Sequence, residues 1–195
     1  MSAVLKIPPL SAEDYLLQER NAVTKSEFHD GQIIAMTGAS RQHNLITVNI
    51  SRELSIQLKK RPCESYINDM RVKALNANNY YYPDIVVVFG TPHFAEDALM
   101  DTLLNPSVIV EVLSPSTEAY DRGEKFARYR KIDSLQTYLL VAQDQPMIEH
   151  YERIGAVWQL SESVGLDACV ELASIDCRLS LAEVYDKVLD LPETP

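Results

Sequence analysis

Glu111 lies in the run Val108-Ile109-Val110-Glu111-Val112-Leu113, aliphatic on both sides. Burying a carboxylate in such a strand is unfavourable unless an opposite charge or a metal ion compensates it. Both compensations are open at this point: an ion pair with some Arg or Lys, or service as a cation ligand. A second acid occurs in similar company. Asp84 follows Pro83 and opens the run Ile85-Val86-Val87-Val88-Phe89. Alone, an acid there is ordinarily a strand-entry residue. Set beside Glu111 on an adjacent strand, it could supply oxygen ligands to a Mg²⁺-type ion.

Other reactive side chains are less telling. His43 falls near the apolar stripe of Ile46 and Ile50, which suits a helix-start or core histidine better than a catalytic one. His29, His93 and His150 are scattered among polar positions and take no role. Arg71 and Lys73 alternate shortly before Asp84. They could face substrate phosphates, although a solvated strand face is the simpler expectation.

These residues need elements to place them. Ser11-Ala12-Glu13-Asp14 predicts a serine-capped N-terminal helix. Asp30-Gly31, inside the stretch from Glu27 to Met36, predicts a tight hairpin. Ile46, Ile50, Leu54 and Leu58 recur every four residues, so an amphipathic helix spans 40–60 and stops before Pro62. Short strands are expected at 64–67 and 71–75, divided from the next strand by Asn76-Ala77-Asn78-Asn79. The β-branched runs 85–89 and 107–113 read as strands buried on both faces. Residues 91–105 read as a loop. Asp121-Arg122-Gly123-Glu124 looks like a capping box opening a helix to about Lys131. A strand at 136–142, a hairpin about Ile154-Gly155 and a closing helix over 180–187 complete the chain. With no repeat and no long linker, residues 1–195 are expected to form a single domain.

Composition narrows the function classes. The chain has 18 Lys and Arg against 28 Asp and Glu, a net charge of −10. That argues against coating nucleic acid by bulk electrostatics, while leaving room for a local basic patch. No stretch has the roughly 18 uninterrupted apolar residues of a membrane span, and the first ten residues do not read as a secretory signal. Cys63, Cys169 and Cys177 are an odd count without metal-ligand spacing. They read as free thiols, and the cytoplasm is the expected location.

Taken together, Pro83-Asp84, Val110-Glu111-Val112-Leu113-Ser114-Pro115-Ser116-Thr117 and Asp121-Arg122-Gly123-Glu124-Lys125 with Tyr129 carry a resemblance. They resemble the Uma-type bacterial family, a domain of unknown function described as "putative restriction endonucleases" in the PD-(D/E)XK nuclease superfamily. The resemblance runs from about Ser11 to Arg153 and takes in the hairpin and His43. It implies an α/β (α+β) fold with a restriction-endonuclease-like core, a mixed β-sheet flanked by helices. It also implies a catalytic set of Asp84, Glu111 and Lys125, with Glu27 as a third acid and Mg²⁺ or Mn²⁺ held by Asp84 and Glu111. One departure stands out. The superfamily lysine two residues after the second acid, on the same strand face, is Leu113 here. Lys125, on the next helix, is the matching cation; without the resemblance it reads as a surface lysine, and Glu27 as a solvent-facing hairpin carboxylate.

The expected activity is metal-dependent phosphodiester hydrolysis, with DNA as the first substrate class and RNA or a nucleotide as others. The alternative is a catalytically inactive partner-binding or regulatory domain of the same fold, favoured by Leu113 and by the acidic surface. No membrane partner is expected; a homodimer is compatible with the exposed final hairpin.

Overall fold

The computed structural model describes residues 10–74, 79–96 and 99–189. Helix α1 (Ala12–Glu19) starts at Ser11, whose hydroxyl accepts the Asp14 amide. Strands β1 (Ser26–His29) and β2 (Gln32–Ala35) form the expected hairpin. Its turn residues Asp30 and Gly31 both take positive φ, 46° and 87°, the geometry that an Asp-Gly turn supplies. Helix α2 (Arg41–Leu58) is capped by Ser40, which accepts the His43 amide.

The central sheet comprises β3 (Cys63–Ile67), β6 (Ile85–Phe89), β8 (Val108–Val112), β9 (Thr137–Val141), β10 (Met147–Ile154) and β11 (Val157–Val164). Its order is β11-β10-β9-β8-β6-β3. Only β8 and β9 pair in parallel; the other neighbours are antiparallel, so the sheet is mixed. A second sheet, ordered β2-β1-β5-β4-β7, adds β4 (Arg71–Ala74), β5 (Asn79–Tyr81) and β7 (Thr102–Leu103). The hairpin β12 (Cys169–Leu172) and β13 (Cys177–Ser180) and helix α5 (Leu181–Val184) close the chain.

Alternation along the central strands divides the core in two. Ile85, Val87, Val108, Val110 and Val112 pack with α2, β12, β13 and α5. Val86, Val88, Ile109 and Leu113 face the opposite way, toward Phe126, Tyr129 and Tyr138. Glu111, two residues from Ile109, therefore points to the second face. Helix α3 (Glu118–Tyr120), a π-helical turn (Asp121–Lys125) and α4 (Phe126–Tyr129) cover that face. The observed fold is mixed α+β, with mixed sheets flanked by helices.

Some expectations change. The helix begins at Glu118 rather than at Asp121, so Asp121 lies inside it and caps nothing. Residues 91–105 are not a plain loop, because β7 pairs in parallel with β4 and Phe94 bridges to Leu103. Strands β5, β12 and β13 were not anticipated. The divider at Asn76-Ala77-Asn78 lies outside the described residues.

Candidate active site

The pairing of β6 with β8 sets Ile85 opposite Val110, and one further step along the same register sets Asp84 opposite Glu111. Asp84 is anchored twice: its Oδ2 accepts the Val112 amide at 2.7 Å, and its Oδ1 lies 3.2 Å from His43 Nε2. Glu111 points under the helical segment, where Lys125 Nζ sits 2.9 Å from Glu111 Oε1. The same ammonium is 2.9 Å from Glu27 Oε1 and 3.6 Å from Asp121 Oδ1. Tyr129 donates its hydroxyl to Glu111 Oε1 at 3.3 Å, and Glu27 Oε1 accepts the Tyr82 amide at 3.0 Å.

The π turn explains how one lysine reaches three acids. Asp121 and Lys125 are four residues apart on a segment that turns both side chains toward the sheet. Phe126 stacks on Tyr138 at 4.9 Å between centroids, and Tyr138 donates to the Asp121 carbonyl at 3.0 Å. Tyr81 meets Tyr129 edge-on, and its ring faces the ammonium at 5.8 Å. The charged cluster is thus roofed by aromatic side chains.

Burial sets the electrostatics. It pushes the Glu111 carboxyl well above the usual range; Asp121, Asp84 and Glu27 push the same way, against Lys125. Burial likewise raises Asp121. It works against the Lys125 ammonium, yet Glu111 and Glu27, with Tyr129 and Asp121, hold that group well above its ordinary value. One ammonium serves three buried carboxylates, so the cluster keeps an excess of acid.

Of the residues singled out in the sequence, the structure joins Glu27, Glu111 and Lys125 directly and sets Asp84 beside Glu111. Lys125 is not a surface lysine, since 6% of its side chain is exposed, and Glu27 is equally buried. Arg71 faces neither solvent nor a site. It is buried, donating to Tyr82 Oη at 2.8 and 3.0 Å and to Thr102 Oγ1 at 3.1 Å. Lys73 lies over the Tyr80 ring. His43, expected to be a bland helix-start residue, instead contacts Asp84. Asp121 was missed because Asp-x-x-Glu imitates a cap. Its spacing of four from Lys125 was the available signal.

Leu113, where a strand lysine would stand, is buried among Ile109, Phe126 and Tyr129. Asp84 and Glu111 offer carboxylate oxygens, the donor class of hard cations such as Mg²⁺ or Mn²⁺, and the neighbouring His43 imidazole is engaged with Asp84. Among the described residues, no three His, Cys, Asp or Glu side chains form a ready cation cage. Also among the described residues, no helix is long and apolar enough to cross a membrane.

A family model described as "Putative restriction endonuclease" (Uma2) matches residues 12–182. Two proteins of Synechocystis sp., both named as uncharacterised, are each 40% identical to the chain. One match covers 89% of this chain and 98% of the relative; the other covers 91% and 92%. A crystal structure titled as a putative nuclease belonging to DUF820, from Anabaena variabilis, superposes with a TM-score of 0.77 at 19% identity. It covers 93% of this chain and all of its own. That likeness concerns the fold.

Proposed function

Because the chain belongs to the Uma2 family, described as "Putative restriction endonuclease", we propose that it is a metal-dependent nuclease hydrolysing phosphodiester bonds, with DNA as the first substrate to test. The observation that carries this reading is Lys125, buried 2.9 Å from both Glu27 and Glu111 beside the Asp84 strand entry. An aliphatic residue would fill that space with less desolvation, and replacing buried ion clusters by apolar groups is often neutral or stabilising. A catalytic duty gives the cluster a reason to exist.

Asp84 and Glu111 would hold Mg²⁺ or Mn²⁺. The bound ion would supply Lewis-acid activation of water and neutralise charge gathering on the phosphate. Lys125, kept protonated by Glu27, Glu111 and Asp121, would present a fixed positive charge to an attacking water or a phosphate oxygen. Glu27 holds the lysine in place through its second bond to the Tyr82 amide. Tyr129 orients Glu111. The cysteines are free thiols, in keeping with a cytoplasmic site of action.

The decisive experiment is plasmid cleavage with Mg²⁺ or Mn²⁺ by the wild type and by Asp84→Ala. Metal-dependent nicking that disappears in a folded Asp84→Ala protein is the expected result. Equal cleavage by the two proteins would assign the activity elsewhere. Specific observations favour a second reading, a non-catalytic partner-binding module. Leu113 is built into the core. Nearby arginines are engaged internally, Arg122 by Glu118 and Glu149 and Arg128 by Asp30. Absence of both cleavage and millimolar metal binding would select that module.

A further inference from the structure

The parallel strands β8 and β9 end beside Asp84, whose Oδ2 accepts the amide of Val112, the last residue of β8. The segments that leave the two strands part there around a cavity of about 180 Å³. Crevices past the carboxyl ends of parallel strands are where α/β sheets commonly seat ligands. Buried Leu113 and Ala142 line the inner part with half-buried Met147, and Pro115, Asp144 and Gln145 line the exposed part. The volume is below the roughly 300 Å³ at which drug-sized ligands are held, and it suits a single heterocycle.

Charge narrows the ligand further. Arg122 also borders the cavity, but its guanidinium is held by Glu118 and, at 2.6 and 2.9 Å, by Glu149. Glu118 and Asp144 add negative charge, so a phosphate is unwelcome and an uncharged ring is not. The Asp144 carboxylate can accept from an exocyclic amine, as Asp and Glu do on cytosine. Gln145, whose Nε2 reaches Met147 Sδ at 3.9 Å, offers both a donor and an acceptor.

The cavity is fastened to the candidate active site. Gln143 Nε2 donates to the Leu113 carbonyl at 2.5 Å, and Ser40, the cap of α2, donates to Gln143 Oε1. Leu113 lies two residues past Glu111, roughly 7 Å along the strand. A nucleic-acid strand with its phosphate at Asp84 and Glu111 can therefore lay the adjoining base between these apolar side chains. We infer that the cavity takes one unstacked nucleobase of the substrate strand, preferring adenine and cytosine, with their exocyclic amines, over thymine. This rests on the nuclease reading and extends it to the substrate class. A base inside an intact duplex cannot reach such a pocket, so the strand is cut where it is single or locally opened.

Methyl-resolved NMR of the full chain, titrated with deoxyadenosine, deoxycytidine and thymidine without metal, tests this. Shifts are expected at Leu113, Ala142 and Met147, with the first two nucleosides binding about tenfold tighter than thymidine. Asp144→Asn should remove most of that preference, because an amide can also donate to the thymine carbonyl. Ala142→Leu should fill the cavity and abolish the shifts. Asp144 is exposed, so the test stands even where Ala142→Leu fails to fold. Shifts confined to other methyls, equal binding of thymidine, a preference that survives Asp144→Asn, or no binding of any nucleoside would overturn the inference. Cleavage of nucleic acid without nucleoside binding removes the cavity's role and leaves the nuclease reading. Nucleoside binding at these methyls without cleavage does the reverse, keeping the base pocket and removing the nuclease.

Discussion

Lys125 holds together carboxylates from three segments of the chain, and removing its charge exposes what they cost. Lys125→Met should destabilise the protein by roughly 3–5 kcal/mol near pH 8, the range for breaking a buried ion pair on one side. Denaturant unfolding checks this, and the deficit should shrink in acid, where the orphaned carboxylates can protonate. Glu111→Gln should behave differently. Its folded pKa is raised by burial and by neighbouring acids, so folding takes up a proton there. That contribution is complete below the unfolded value of about 4.5 and is lost as pH rises through the folded value. The amide, which cannot titrate, should therefore flatten the decline of stability as pH rises above the unfolded carboxylate range. An unchanged pH dependence of unfolding in Glu111→Gln would contradict this. That Glu111 needed a partner was legible from Val108-Ile109-Val110 before it and Val112-Leu113 after it. Which partner was not legible from spacing, because Lys125 reaches it through a turn whose helical start is hidden by the false cap at Asp121.

Elements place these residues, and α2 is the most exacting of them. Ser40 satisfies an otherwise unpaired amide at the helix start and so fixes the turn that carries His43. Ser40→Ala should cost about 1 kcal/mol, read by thermal unfolding; an unchanged melting temperature would show that the cap is redundant. Long periodic elements were readable from sequence: α2 by its spacing of four, and β6 and β8 by their β-branched runs. The Asp-Gly hairpin was readable from its turn chemistry. Short elements were not. Asn79-Tyr80-Tyr81 is buried throughout and shows no alternation. The four-residue strands β12 and β13 alternate too briefly for a period to declare itself.

At the scale of the whole molecule, the net charge of −10 limits how nucleic acid can be held. Several arginines are engaged within the fold: Arg20 and Arg71 with Asp101, Arg122 with Glu118 and Glu149, and Arg128 with Asp30. If DNA is the substrate, few counterions are released on binding. The slope of log affinity against log salt should then be shallow, about −2 or −3 rather than the −5 to −9 that six to ten phosphate contacts give. Filter binding with Ca²⁺ in place of the catalytic ion measures it. A steep slope would reveal a basic track formed only in the complex.

The ammonium of Lys125 meets Glu27 and Glu111, groups brought together from distant stretches of sequence. No local fragment can shelter that charge. Until the first hairpin, the central strands and the covering helix have all docked, water solvates these three groups better than the protein does. The cluster should accordingly form after the rate-limiting step. Conservative changes within it would then leave refolding rates almost untouched and accelerate unfolding, making this charged knot a latch on the finished molecule rather than a seed for its assembly.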